Sequence, residues 1–129
     1  MAINNNPYAQ SQNSRILTAS PAELTLMLYE GAIKFGNMAI MGMKQKDIEK
    51  AHVNLKKVQR IVAEFRATLD MKYPVAQDFD RIYVYLEQRM TEANLKKDPE
   101  IMEEVVKHLR SMRDTWKEVM RLNKIHEGK

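Results

Sequence analysis

Few residues in this chain have the types and spacing that support catalysis or metal binding. Carboxylate metal centres inside helical bundles draw a Glu-x-x-His string from each of two helices and a further Glu from each of the other two. Glu49-Lys50-Ala51-His52 is one such string. The second is missing: Glu104 precedes His108 by four residues instead of three, and His126 stands near the end of the chain. There is no cysteine, so thiolate metal ligands, disulfides and thiol nucleophiles are all excluded. Three scattered histidines do not assemble a nucleophile, a base and an orienting group. Neither of the glycine strings that cradle phosphates, G-x-x-x-x-G-K-[ST] and G-x-G-x-x-G, is present. The expectation is a chain with no catalytic residue, no cofactor and no metal.

Charge points away from nucleic acid. The 21 Lys and Arg are interspersed with 17 Asp and Glu, for a net charge of +4. Lys56-Lys57, Lys96-Lys97 and the Arg110, Arg113, Lys117, Arg121 row each have acids within about a turn, as solvated helix faces do. Phe79, Tyr83 and Tyr85 are not interleaved with basic residues as a base-stacking platform requires. No charge-free run reaches the roughly 18 residues of a membrane span. The first residues, Met1-Ala2-Ile3-Asn4, have neither the basic region nor the apolar run of a secretory signal. The reading is a cytoplasmic protein that neither binds nucleic acid nor inserts into membranes.

The elements that would position a site are helices. Four Gly and four Pro among 129 residues, together with ten Met, fit an all-α chain with an adaptable interior. Residues 1–19 are rich in Asn, Gln and Ser without a sustained period, and read as an extended N-terminal arm. Ser20-Pro21-Ala22-Glu23 is a capping serine, a first-turn proline and an acid that can reach back to the cap. A first helix follows over 21–43, ended by Gly42 and the polar Lys44-Gln45-Lys46, and Asp47 opens a second over 47–72. Pro74 stops the second and precedes a third over 75–97. Asp98-Pro99 opens a fourth over 99–123, and 125–129 should fray. Apolar residues recur at steps of three and four along the last three helices: Leu55, Val58, Phe65; Phe79, Leu86, Met90; Val105, Leu109, Met112. Helices of roughly 23 to 26 residues joined by short links must pack antiparallel, which gives an up-down-up-down four-helix bundle over 20–124.

The first helix is the exception to single-stripe patterning. Glu23, Glu30 and Lys34 are its charges within 21–43, and they lie together on one flank. Leu24, Met27, Leu28, Gly31, Phe35, Met38 and Ala39 make one wide face, while Leu26, Tyr29, Ile33, Gly36 and Ile40 fall nearly opposite. A bundle helix needs one apolar stripe. Periodicity does not decide which face is core; Leu28 and Phe35 are expected there, and the Leu26–Ile40 seam, with Gly36 for close approach, is expected to face a partner helix or the arm. A tilted helix that buries much of both faces is the alternative.

The string Leu17-Thr18-Ala19-Ser20-Pro21-Ala22-Glu23-Leu24-Thr25-Leu26-Met27-Leu28-Tyr29-Glu30-Gly31-Ala32 closely resembles the signature of the flagellin-specific export chaperones, the FliS family. Similarity continues through Asn54-Leu55, Leu69-Asp70, Arg89, Ala93-Asn94 and Arg113-Asp114 with Trp116-Lys117, and Tyr8 with Gln12-Asn13 looks like the family's arm. The resemblance implies a cytoplasmic bundle without enzymatic activity. It would bind the carboxy-terminal segment of flagellin, prevent premature polymerisation and aid delivery to the flagellar type III export apparatus. A regulatory or scaffolding bundle that binds another flagellar protein, such as an anti-sigma factor, is the alternative. Tyr8, Ile16 and Leu17 of the arm, with Leu26, Tyr29, Ile33 and Ile40 of the first helix, are the candidate partner-binding residues.

Overall fold

A computed structural model of the chain describes residues 18–127, with side chains through 124. Four α-helices follow one another: α1 (Pro21–Lys44), α2 (Ile48–Thr68), α3 (Pro74–Lys96) and α4 (Pro99–Glu127). Three of the four starts carry the expected side-chain caps, at Ser20, Asp47 and Asp98. The Ser20 hydroxyl accepts from the Glu23 amide at 3.2 Å and itself donates to the Glu23 carboxylate, and Asp47 accepts from the Lys50 amide at 3.1 Å. Pro74 and Pro99 occupy first-turn positions, where a missing N–H costs nothing.

The helices form a ring in which α1 packs on α2 and α4, and α3 on the same two. Every neighbouring pair is antiparallel. On α1 and α2 the contacts run from Gly42 beside Ala51 to Gly31 beside Ile61; on α2 and α3 from His52–Asn94 to Arg66–Asp80; on α1 and α4 from Lys44–Glu103 to Ala22–Trp116. The all-α bundle is therefore the one read from the sequence. Its interior is a continuous cluster centred on Leu55, Leu86, Met90, Met102 and Leu109, all fully buried.

Three helix ends depart from expectation in ways that matter, beside one-residue differences elsewhere. Helix α1 runs through Gly42 to Lys44, and the turn is made by Lys46 in a left-handed conformation at φ 58°. Gly42 serves close packing instead: a Cβ there would lie 2.6 Å from the Ala51 amide nitrogen on α2. Helix α2 ends at Thr68, four residues before 72. The residue before a proline avoids helical backbone, which holds Tyr73 extended at ψ 132°. Asp70 then accepts from the Lys72 amide and turns the link. Helix α4 continues past 123 to Glu127.

The Gly42 contact gives an expected result. Gly42→Ala forces backbone away from backbone at the α1–α2 corner and costs about 1 to 3 kcal/mol, despite alanine's better helix propensity. Urea unfolding of the variant measures it; an unchanged or raised midpoint would show that the corner relaxes freely.

Candidate functional site

The faces of α1 are placed largely the other way round from the sequence reading, although Ala39 and Phe35 of the expected core face do pack in or against the core. Tyr29, Ile33, Gly36 and Ile40 point into the bundle with Ala32, Ala39 and Met43; Ile33 is 7% exposed and Ile40 8%. The close approach that Gly36 permits is to α4 of the same chain, since a Cβ there would fall 2.5 Å from a Val106 methyl. Leu24 and Leu28, of the expected core face, are exposed. The physical reason is that α1 makes the most extensive contacts of the four helices, with both α2 and α4, so its buried arc exceeds one stripe. From the other face, Gly31 lies against Ile61 of α2, and the Lys57 ammonium sits 4.8 Å from the Phe35 ring centre.

Leu26 is half-buried, while Tyr8, Ile16 and Leu17 lie outside the described residues. Of the predicted residues, Tyr29 lines a groove of about 780 Å³ at the end of the bundle that carries the α2–α3 link. All four helices contribute. Phe65 and Leu69 come from the end of α2, Val75, Phe79 and Tyr83 from the start of α3, and Met112, Trp116 and Val119 from α4. Tyr73, in the link, and Val75 are both more than half exposed at the groove. These residues were missed because the groove is made by the ends of four helices and no single helix displays it. The legible signal was Met71, Tyr73 and Val75, apolar residues around a turn where polar ones are usual.

The groove has an aromatic floor. Phe65 lies between Tyr29 and Tyr83, with ring centres 4.4 and 5.5 Å away. Beside it the two phenol oxygens are 2.6 Å apart in a buried hydrogen bond. At the wall, the Trp116 indole N–H donates to the Ala22 carbonyl at 3.0 Å and ties the end of α4 to the start of α1. The charged lining residue is Asp70, whose carboxylate is 3.7 Å from the exposed Lys72 ammonium. An apolar cavity of this size with a few fixed polar groups suits an apolar side-chain cluster from a partner better than it suits a charged substrate.

Burial shapes the titration of the floor. It pushes both phenols above the ordinary tyrosine range; the mutual hydrogen bond opposes the shift at Tyr29 and adds to it at Tyr83. A phenol whose folded-state pKa is raised contributes stability that is intact below its unfolded value of about 10 and is lost as pH rises past it. The expected result is that the bundle weakens between about pH 9 and pH 11, and that a Tyr29→Phe, Tyr83→Phe double variant weakens less over the same range. Urea midpoints across that range check it; equal alkaline losses in both proteins would contradict it.

Glu49 and His52 are both exposed, and the His52 ring nitrogen Nδ1 pairs with the Asn94 side chain on α3. No cluster of three metal-ligating side chains occurs among the described residues, and no described helix is long and apolar enough to cross a membrane. On the outer face of α3, Arg89 and Tyr85 both donate to Glu104 of α4 at 2.8 and 3.1 Å, holding that carboxyl below its usual range. Arg66 of α2 bridges to Asp80 and Glu87. These partly exposed pairs fasten α3 to its neighbours.

Comparison with known proteins finds sequence relatives along most of the chain. Residues 4–123 match the family model described as flagellar protein FliS. The chain is similar to a flagellar secretion chaperone FliS of Bacillus subtilis, 37% identical over 120 residues, which span 93% of this chain and 90% of the relative. It is similar also to proteins of the same description from Escherichia coli, 31% identical over 86% of this chain and 85% of the relative, and from Vibrio cholerae, 28% identical over 84% and 82%.

Proposed function

Because the chain belongs to the flagellar protein FliS family, we propose that it is a flagellar secretion chaperone that holds the carboxy-terminal segment of flagellin until export. The observation that carries the reading is the groove floored by Tyr29, Phe65 and Tyr83, joined at its rim by exposed Tyr73 and Val75. An amphipathic helix can lay its apolar face there, in the helix-in-groove mode. Leu24 and Leu28 extend apolar surface along the same end of α1 for the flanking chain.

The chemistry required is occlusion. A flagellin end that buries its apolar stripe in the groove cannot bury it against another flagellin, so polymerisation waits. Ordering the segment opposes binding by several kcal/mol, which keeps the complex releasable at the flagellar type III export apparatus. The cytoplasm is where such a hold is needed. The described chain begins with Thr18, before α1, and Tyr8, Ile16 and Leu17 would act as part of the binding surface or as its cover. Ile33 and Ile40 act through the core that shapes the groove.

Titration calorimetry tests the proposal with the carboxy-terminal segment of flagellin and, separately, the amino-terminal one. Saturable binding of the first alone, with suppressed flagellin polymerisation followed by light scattering, is the expected outcome. Binding of neither segment would overturn it.

A further inference from the structure

The buried or partly buried polar side chains of the groove bond within the chain, while those of Tyr73, Thr115 and Asn123 are exposed. The Thr25 hydroxyl donates to the Pro21 carbonyl, the Thr68 hydroxyl to that of Glu64, and the Trp116 indole to that of Ala22. The phenols of Tyr29 and Tyr83 face each other at 2.6 Å. Each phenol has one proton, and whichever donates, the other keeps its own. Among the described residues no hydrogen bond takes up that second proton, although Tyr29 and Tyr83 are 5% and 3% exposed and both line the groove. A buried donor without an acceptor is costly, and a ligand that supplies the acceptor recovers that cost.

We propose that the tyrosine pair is a specificity element: it donates one hydrogen bond to a neutral amide oxygen on an Asn or Gln side chain of the segment seated in the groove. This rests on the groove reading above. Along its length a helical occupant has its backbone carbonyls bonded within the helix, the last turn excepted, so the acceptor facing the floor is a side chain. A carboxylate is disfavoured, because no cationic side chain lines the described groove and its one charged group, Asp70, is negative. A carboxamide oxygen accepts without carrying charge and reaches the floor past an apolar face.

The test titrates four proteins, the unaltered chain, Tyr29→Phe, Tyr83→Phe and the double variant, with the flagellin carboxy-terminal segment. Peptides in which each Asn and Gln is replaced in turn by Leu are run alongside. Replacing both phenols by rings of the same shape leaves no orphaned hydroxyl, so the double variant keeps the fold. For one peptide position, replacement should weaken binding about tenfold to the unaltered chain and to both single variants, since one hydroxyl proton survives in each. The double variant should bind that peptide and its parent alike. A purely structural tyrosine pair would show no such coupling. Val75→Asp, which blocks the groove, serves as the control. If it abolishes binding while no position discriminates, or while the double variant still discriminates, the specificity proposal fails and the groove stands. If it binds normally, both fail.

Discussion

Ile33→Asp unfolds the bundle. At 7% exposure, Ile33 lies in the core cluster with Tyr29, Ile40 and Val106. The substitution removes roughly 1.5 to 3 kcal/mol of apolar burial. It also leaves an unpaired carboxylate in the interior, which costs about another 3 to 5 kcal/mol or forces the group to protonate. Against a total stability of about 5 to 15 kcal/mol for a domain of this kind, few folded molecules remain. Leu28→Asp, five residues earlier on the exposed flank, should shift stability by only about 1 kcal/mol or less. Circular dichroism and urea unfolding of both variants check the ordering. A folded Ile33→Asp beside an unfolded Leu28→Asp would reverse the placement of α1.

Val75→Asp should do the opposite, sparing the fold and removing function. Val75 is 54% exposed in the first turn of α3, a helix whose first turn has no acid and whose N-cap residue, Tyr73, makes no side-chain capping bond. A carboxylate there meets the positive end of the helix dipole, so stability should hold or rise by about 0.3 to 1 kcal/mol. The same carboxylate stands in the wall of the groove, where an apolar occupant would have to desolvate it at about 2 to 4 kcal/mol. Binding of the flagellin segment should fall by about 30-fold to 1,000-fold. Thermal melting and calorimetry on one preparation separate the two effects. Native affinity in the folded variant would move the binding surface elsewhere.

The parts of this molecule that announce themselves in the sequence are those decided by local chemistry. Ser20-Pro21 and Asp98-Pro99 each place a capping oxygen before a proline that only a first turn tolerates, and both helices begin there. The stripes through Leu55, Leu86 and Leu109 are each flanked by charge, so their inward face is unambiguous. Helix α1 offers no such contrast. Glu23, Glu30 and Lys34 mark one exposed flank, but two apolar faces border it, and only the positions of α2 and α4 decide which is the deeper. Gly42 was legible as a glycine and misread as a helix end, because its reason lies in Ala51 on another helix. The groove is less legible still. Tyr29, Phe65, Tyr83 and Trp116 are spread over nearly ninety positions, and each follows its own helix's core period until the bundle end opens between them.

The central claim, that flagellin's carboxy-terminal segment occupies the groove at the α2–α3 end, is tested most directly by amide hydrogen exchange of the full chain, free and saturated with that segment. The account predicts the largest added protection at residues 65–79 and 112–123, which line the groove, with little change at 42–51 around the opposite turn. Unchanged exchange at 65–79 and 112–123 in the saturated complex would contradict it.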